Sequence, residues 1–306
     1  MNAEQTTLAN GGANTAPMAG ILWMLLGILM FCCNDALGKW LLATYSVGQM
    51  LLIRSAAALL VIAPFLWRAG VAPFREAPRP GLQLLRVALS SAEVVFFFVA
   101  VSYLPLADTV TFYLAGPIYV TALSALLLGE RGGWRRWSAV LIGFAGVVMA
   151  LRPSPATLTW PALIALVGSV CYAFLMIVTR HLRGTADIVM AAGQIGATLA
   201  YGIVMAPFAW TPPSVRDFAL MALLGAVSAG ALMCINRSLK LAPASVVVPY
   251  QYTMIVWAVL LGYLVFGDVP GASVVGGAII IVAAGLYIFL REQIRGSQGP
   301  APSPPA

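Results

Sequence analysis

Few side chains in this sequence could do chemistry, and most of those sit in apolar surroundings. Glu93 lies in the run SSAEVVFFFVA, where it could recognise a substrate amine or carry a proton. The alternative is an acid satisfied by hydrogen bonding to a neighbouring helix. Asp35 and Lys39 are four residues apart. On a helix they share a face and can neutralise each other, although Lys39 is also close enough to a helix end to reach water along its flexible stem. Asn34 adjoins the pair and could face a cavity. Arg54 could meet a substrate carboxylate or Asp35. Tyr113, Tyr172, Tyr250 and Trp257 could supply an aromatic lining with polar handles, and Gln251 is an amide that needs a partner in an apolar medium. Two prolines stand inside apolar runs, in Gly116-Pro117 and in Pro249-Tyr250-Gln251-Tyr252. Each removes a backbone donor and can kink a helix, so Gly116, Pro117 and Pro249 are candidate hinges, with a packing kink as the alternative. Asn236 reads as a polar group at a helix end.

Other chemistry is missing. With a single histidine, His181, and four cysteines, no HExxH, CxxC or Ser-His-Asp set can be assembled. Cys32, Cys33, Cys171 and Cys234 fall in apolar runs and read as small apolar residues. No GxxxxGK[ST] motif occurs, which argues against ATP as the driving force. The sequence therefore points to no catalytic residue, no metal site and no cofactor. Any work done must draw on a gradient or on the substrate itself.

The elements that must position these residues follow from composition. Of 306 residues, 61% are apolar and 9% charged, with a mean hydropathy of +0.93. A soluble domain carries about 25% charged residues, so the solvent of this surface is lipid. About 20 apolar residues cross the ~30 Å hydrocarbon core. Ten stretches qualify: 18–43, 47–66, 82–104, 106–128, 134–151, 160–182, 188–208, 217–239, 244–266 and 271–290. Runs apolar on every side, without strand alternation, predict helices rather than a barrel. The expected fold is an all-α membrane protein with ten transmembrane helices. Residues 1–17 and 291–306 are expected as disordered tails, and 152–159 as a connecting loop. The first span reads as a retained helix, since no basic stretch precedes it and Asn34, Asp35 and Lys39 interrupt it.

Lys and Arg favour cytoplasmic loops. With the first residue inside, 13 of the 17 basic residues fall on the inner side and Arg152 and Arg216 on the outer, leaving Lys39 and Arg54 within spans. Both termini are thus expected in the cytoplasm. The net charge of +7 is a topology signal scattered over loops, and it argues against a nucleic-acid partner. Trp40, Trp67, Trp134, Trp137, Trp160 and Trp210 suit the aromatic belts at the two interfaces.

The chain also repeats. At an offset of 138 residues, Leu104-Pro105-Leu106-Ala107 falls on Ala242-Pro243-Ala244-Ser245, and Gly129-Glu130 on Gly267-Asp268. The proline-to-glycine spacing is 24 in both copies. Gly27 and Lys39 match Gly168 and Arg180 at an offset of 141. Residues 18–151 and 160–290 each hold five expected spans, an odd number, so the second repeat must be inserted upside down. Inverted repeats build carriers whose substrate site lies near the midplane where the halves meet.

The five-plus-five pattern, the fourth span PLADTVTFYLAGPIYVTALSALLLGE and its echo PASVVVPYQYTMIVWAVLLGYLVFGD resemble the drug/metabolite transporter superfamily. More narrowly they resemble its EamA-type exporters, and within these the YddG-type amino-acid exporters. The resemblance covers about residues 18–290. It implies export of amino acids, aromatic ones among them, and related metabolites across a bacterial inner membrane by alternating access. It also implies a central cavity bounded by the hairpins of helices 3–4 and 8–9. The family usually has Glu where this chain has Asp268. Another cargo on the same fold (a cationic drug, a nucleotide sugar or a lipid head group) is the alternative. Phosphorylated cargo would call for clustered Lys and Arg within the spans, where only Lys39 and Arg54 stand. The implied partners are a small-molecule substrate and membrane lipid, compatible with a monomer.

Overall fold

The computed structural model describes residues 3–127, 134–151, 159–182, 184–241 and 247–296. Every regular element among them is helical. Apolar side chains in lipid cannot hydrate an open backbone, so each crossing segment satisfies its own amides as a helix. Helix α1 spans Ala3–Leu42, α2 Val47–Ala69, a short α3 Ala72–Arg75, α4 Pro80–Tyr103, α5 Leu106–Leu114, α6 Gly116–Leu127 and α7 Trp134–Leu151. Then come α8 Trp160–His181, α9 Asp187–Met205, α10 Val215–Leu241, α11 Met254–Leu261 and α12 Ala272–Gly296.

Among the described residues, six helices are continuous, long and apolar enough to cross a membrane: Met18–Leu42, Val47–Ala69, Pro80–Tyr103, Trp160–Thr179, Asp187–Ala209 and Val215–Ile235. The other four expected spans fall on shorter or interrupted helices. The fourth is α5 and α6, parted at Ala115, whose amide bonds back to the Phe112 carbonyl. Pro117 follows two residues later and has no amide to offer. The ninth is a 3-10 turn over Val248–Thr253, then α11, then one π-helical turn over Gly262–Phe266. The tighter 3-10 bonding starts at Val248, one residue before Pro249, while the π turn was not expected from the sequence.

Two boundaries differ from expectation. The helix α1 starts at Ala3, so residues 3–17 continue it instead of forming a disordered tail; Ala, Glu, Gln and Leu in this stretch are good helix formers. At the other end α12 runs to Gly296, past the expected limit at 290. The Gly129-Glu130 and 242–245 repeat motifs, residues 152–158 of the expected loop and the end of the C-tail lie outside the described residues.

Side-chain bonds sort the helix ends into two rims. At the first, Lys39 Nζ meets Asp268 Oδ2 at 2.6 Å, and the Tyr45 hydroxyl donates to Asp217 at 2.7 Å. Gln49 donates to the Thr211 carbonyl and accepts from the Thr211 amide. At the second, the Ser238 hydroxyl donates to the Gly20 carbonyl, and Gln83 to Thr185. Here Arg86 also donates to the Thr179 hydroxyl and the Met190 carbonyl, both at 3.0 Å. Arg86 is one of the 13 basic residues that the charge asymmetry assigns to the inner side. It is in fact a buried residue of α4, turned into the protein because two acceptors on α8 and α9 await it.

These bonds fix helix directions. Helix α1 runs from the second rim to the first and α8 the reverse; α2 and α9 are likewise opposed, as are α4 and α10. The main packing pairs are α1 with α10, α4 with α8, α2 with α9, α2 with α10, α4 with α9 and α7 with α12. Exchanging α1 with α8, α2 with α9, α4 with α10 and α7 with α12 maps this set onto itself. The glycines matched in sequence both lie at close helix contacts. A Cβ on Gly27 would fall 2.8 Å from Ile235 of α10; one on Gly168 would first strike the Tyr113 hydroxyl of α5 and would fall 3.0 Å from Phe96 of α4. Small residues let helices approach closely in lipid, where packing drives association.

Candidate functional site: a cavity at mid-depth

Midway between the rims lies a cavity of about 140 Å³. Phe31 of α1, Arg54 of α2, Val94 of α4, Gln194 and Thr198 of α9 and Ser228 of α10 are among its lining residues. Each stands near the middle of its helix, and the walls combine helices from both halves of the chain. In size the space matches an engineered protein cavity of ~150 Å³ that holds one benzene.

Arg54 is half-buried two turns into α2. Its guanidinium lies 5.1 Å from the Phe98 ring centroid, a cation–π distance. Asp35 and Glu93 are within electrostatic reach of it, yet neither comes within 4.0 Å of it as an ion pair among the described residues. A charge at the bilayer centre costs ~2.5–3.5 kcal/mol on insertion scales. Three such residues converging here is the strongest electrostatic feature of the molecule.

The other residues singled out in the sequence fall into three neighbourhoods. Asn34 is buried beside Asp35 and donates to it at 3.4 Å, while its own carbonyl oxygen has no partner among the described residues. Tyr113 and Tyr172 flank Glu93: the Tyr113 hydroxyl donates to the Glu93 carbonyl at 3.2 Å, and the two rings lie 6.5 Å apart. Gly116 leaves room for Tyr172, since a Cβ there would come within 2.8 Å of its ring. Tyr250 and Trp257 belong elsewhere, packed with Met24, Ile28 and Cys32 of α1. Gln251 is half-buried on the 3-10 turn and has no hydrogen-bond partner among the described residues. The side chains of Pro117, Pro249 and Asn236 are outside the description.

Two expectations need correction. Lys39 does not pair with Asp35. It sits in the last turn of α1, where its ammonium reaches Asp268 and lies 4.5 Å from the Phe266 ring centroid, while Asp35 lies one turn deeper, within electrostatic reach of Arg54. Of the expected helix 3–4 and 8–9 hairpins, helices 3 and 8 line this cavity through Val94 of α4 and Ser228 of α10, while its other named walls are α1, α2 and α9 in place of helices 4 and 9; α11 packs against α1 and α5. Gln194, Thr198, Ser228 and Ser55 were missed in the sequence, where the only signal was an amide at Gln194 in an otherwise apolar run. At the first rim, Tyr45 lies outside the spans, and its hydrogen bond to the Asp217 carboxylate holds its phenol above the ordinary tyrosine range. The exposed tryptophans Trp40, Trp67, Trp134, Trp160 and Trp210 stand at helix ends, where interface aromatics belong.

The described residues form a multi-pass helical membrane protein with charged groups at mid-depth, and the family match places it in the class of membrane transporters. The chain is a member of the EamA-like transporter family, whose model matches residues 18–152 and 159–290. It is 24% identical over 277 residues to an S-adenosylmethionine uptake transporter of Rickettsia prowazekii, covering 90% of this chain and 93% of that one. It is 27% identical to a riboflavin transporter of Rhizobium johnstonii, covering 97% and 99%, and 27% identical to a pseudopaline exporter of Pseudomonas aeruginosa, covering 87% and 94%. A solved crystal structure with 19% identity has a TM-score of 0.57 and covers 91% of this chain and 98% of its own, which shows a shared fold. The protein is thus a transporter and not an enzyme, and its relatives carry small molecules of several kinds.

Proposed function

We propose that this protein is a secondary carrier that moves carboxylate-bearing metabolites, amino acids and aromatic amino acids among them, out of a bacterial cell across the inner membrane. The observation that carries this reading is Arg54 on the wall of a mid-depth cavity without a close ion-pair partner. A guanidinium there offers a planar fork of donors to a carboxylate. The relatives' cargoes fit a family that varies its substrate on one scaffold: S-adenosylmethionine bears an amino-acid head group, whereas riboflavin does not. Import and export both occur among these relatives. A secondary carrier runs in whichever direction its gradients set.

Ten crossings as two inverted five-helix repeats give alternating access a physical basis. The opposed directions of exchangeable helices and the self-mapping set of packing pairs support that architecture. The breaks at Ala115 and at Val248–Thr253 are the hinges in this reading, with Gly116, Pro117 and Pro249 absorbing the change. The first rim faces outward and both termini lie in the cytoplasm, in keeping with the asymmetry of Lys and Arg. Glu93 serves as the proton carrier, its charge traded against that of the cargo at Arg54, and Asn34, Asp35, Tyr113 and Tyr172 hold it in place. One chain supplies both halves of the cavity, so a monomer suffices.

The test is uptake into sealed proteoliposomes of a labelled amino-acid and carboxylate panel. Saturable transport of at least one member, abolished by Arg54→Leu, is expected. Transport of none of them, against robust transport of a cargo lacking a carboxylate, would overturn the reading.

A further inference from the structure

Besides Arg54, the cavity has a second polar wall, formed by residues to which no role has so far been given. Thr198 and Gln194 of α9 and Ser228 of α10 line it together with Ser55 of α2. Their hydrogen atoms are not equally free. The Thr198 hydroxyl donates to the Gln194 carbonyl at 2.9 Å, and the Ser228 hydroxyl donates to the Gly225 carbonyl at 2.9 Å. A hydroxyl has one proton and two lone pairs. With the proton turned to its own helix, each of these oxygens presents its lone pairs to whatever fills the cavity. The Gln194 amide and the Ser55 hydroxyl have no hydrogen-bond partner among the described residues, so they too can answer a donor.

From this division we infer that the cavity is a head-group subsite with two poles. The donor pole, Arg54, takes the carboxylate. The acceptor pole, made by Thr198, Ser228 and Gln194, takes a hydrogen-bond donor attached close to that carboxylate, an ammonium or a hydroxyl. The ligand class is therefore an amino- or hydroxy-carboxylate head group. The size agrees: about 140 Å³ accommodates such a group but not a whole nucleoside or flavin, since drug-sized ligands occupy ~300–1,000 Å³. The rest of a larger cargo must lie in space that helix movement opens. The acceptor pole selects by an asymmetry of cost. A buried site built to meet a donor rejects the analogue that lacks it, because its own polar groups are left unpaired.

This inference rests on the carrier reading and on Arg54 as the carboxylate partner. Its test compares matched pairs of probes: L-phenylalanine with 3-phenylpropanoate, and L-methionine with its deaminated acid, alongside S-adenosylmethionine. Each is scored by thermal stabilisation of the full-length protein in detergent, where a binder shifts the melt by mass action. Wild type is expected to prefer the amino member of a pair by at least tenfold in apparent affinity. In Thr198→Val combined with Gln194→Leu, that preference should fall to within about twofold, with binding of the deaminated acid retained. Thr198→Ser, which keeps the hydroxyl, should preserve the preference and so guards against a fold defect in the double variant. A preference that survives the double variant, or no preference in wild type while both members bind, overturns the two-pole assignment and leaves the carrier reading intact. Failure of every carboxylate probe to bind, with Arg54→Leu indistinguishable from wild type, overturns the carrier reading as well.

Discussion

The first rim and the mid-depth cavity handle polar groups in opposite ways. At the rim Lys39 has Asp268, Tyr45 has Asp217, and both ends of the Gln49 amide meet the Thr211 backbone. Ser46 caps α2 by accepting from the Gln49 amide. Those groups are satisfied within the protein, and what they do is hold helix ends together. In the cavity, the side chains of Arg54, Ser55 and Gln194 have no hydrogen-bond or close ion-pair partner among the described residues, and the oxygens of Thr198 and Ser228 keep open lone pairs. The contrast has one exception at the rim, where one buried carboxylate oxygen of Asp108 has no partner among the described residues. Leaving polar groups unmatched in a buried site is costly, and in the proposed reading a ligand supplies the partners that the cavity groups lack.

That contrast can be broken from several directions. Arg54→Leu should do the most damage to transport. Loss of one partner of a buried charged contact costs ~2–5 kcal/mol, which at 1.4 kcal/mol per tenfold lowers transport by roughly 30- to 3,000-fold while the melting temperature holds or rises. A melt that collapses instead would make Arg54 a structural residue like those of the rim. Next is Gly225→Leu. A Cβ at Gly225 would strike the Arg54 carbonyl and come 2.8 Å from the Ala58 amide, so α2 and α10 must part. Overpacking costs ~1–3 kcal/mol, seen as a lowered melt together with lost transport; an unchanged melt would mean that the two helices are not held this closely. Glu93→Gln should leave the rate at neutral pH within a fewfold of wild type and flatten its dependence on pH. If the pH profile persists, the proton travels elsewhere. The smallest effect is expected at the rim. Asp268→Asn removes a partly buried rim ion pair whose loss is expected to cost about 1 kcal/mol, so amide exchange in the turn at 43–46 should quicken by no more than about fivefold. A loss of all transport there would erase the distinction between rim and centre.

What could be read in the sequence follows the same divide. The helices were legible because apolarity sums over about 20 residues, and their directions because each crossing reverses the chain. Arg54, Asp35 and Glu93 stood out because a charge in lipid is rare. The breaks near Pro117 and Pro249 were legible from a missing donor. The partner of Lys39 was not: Asp35 at four residues was the local choice, while Asp268 lies 229 residues away and is brought near only by packing. The acceptor wall was illegible for another reason. Thr198 and Ser228 are ordinary residues of apolar helices, and the role inferred for them rests on hydroxyls that bond back to their own helices, which no local sequence pattern announces.

The most direct measurement is counterflow in sealed proteoliposomes. Labelled L-phenylalanine or S-adenosylmethionine is exchanged against a panel of unlabelled carboxylates and their carboxamides, for wild type and Arg54→Leu in parallel. The account predicts saturable exchange in wild type, competed by carboxylates and far less by carboxamides, and lost in the variant. Exchange that carboxamides compete equally well, or that survives in Arg54→Leu, would contradict it.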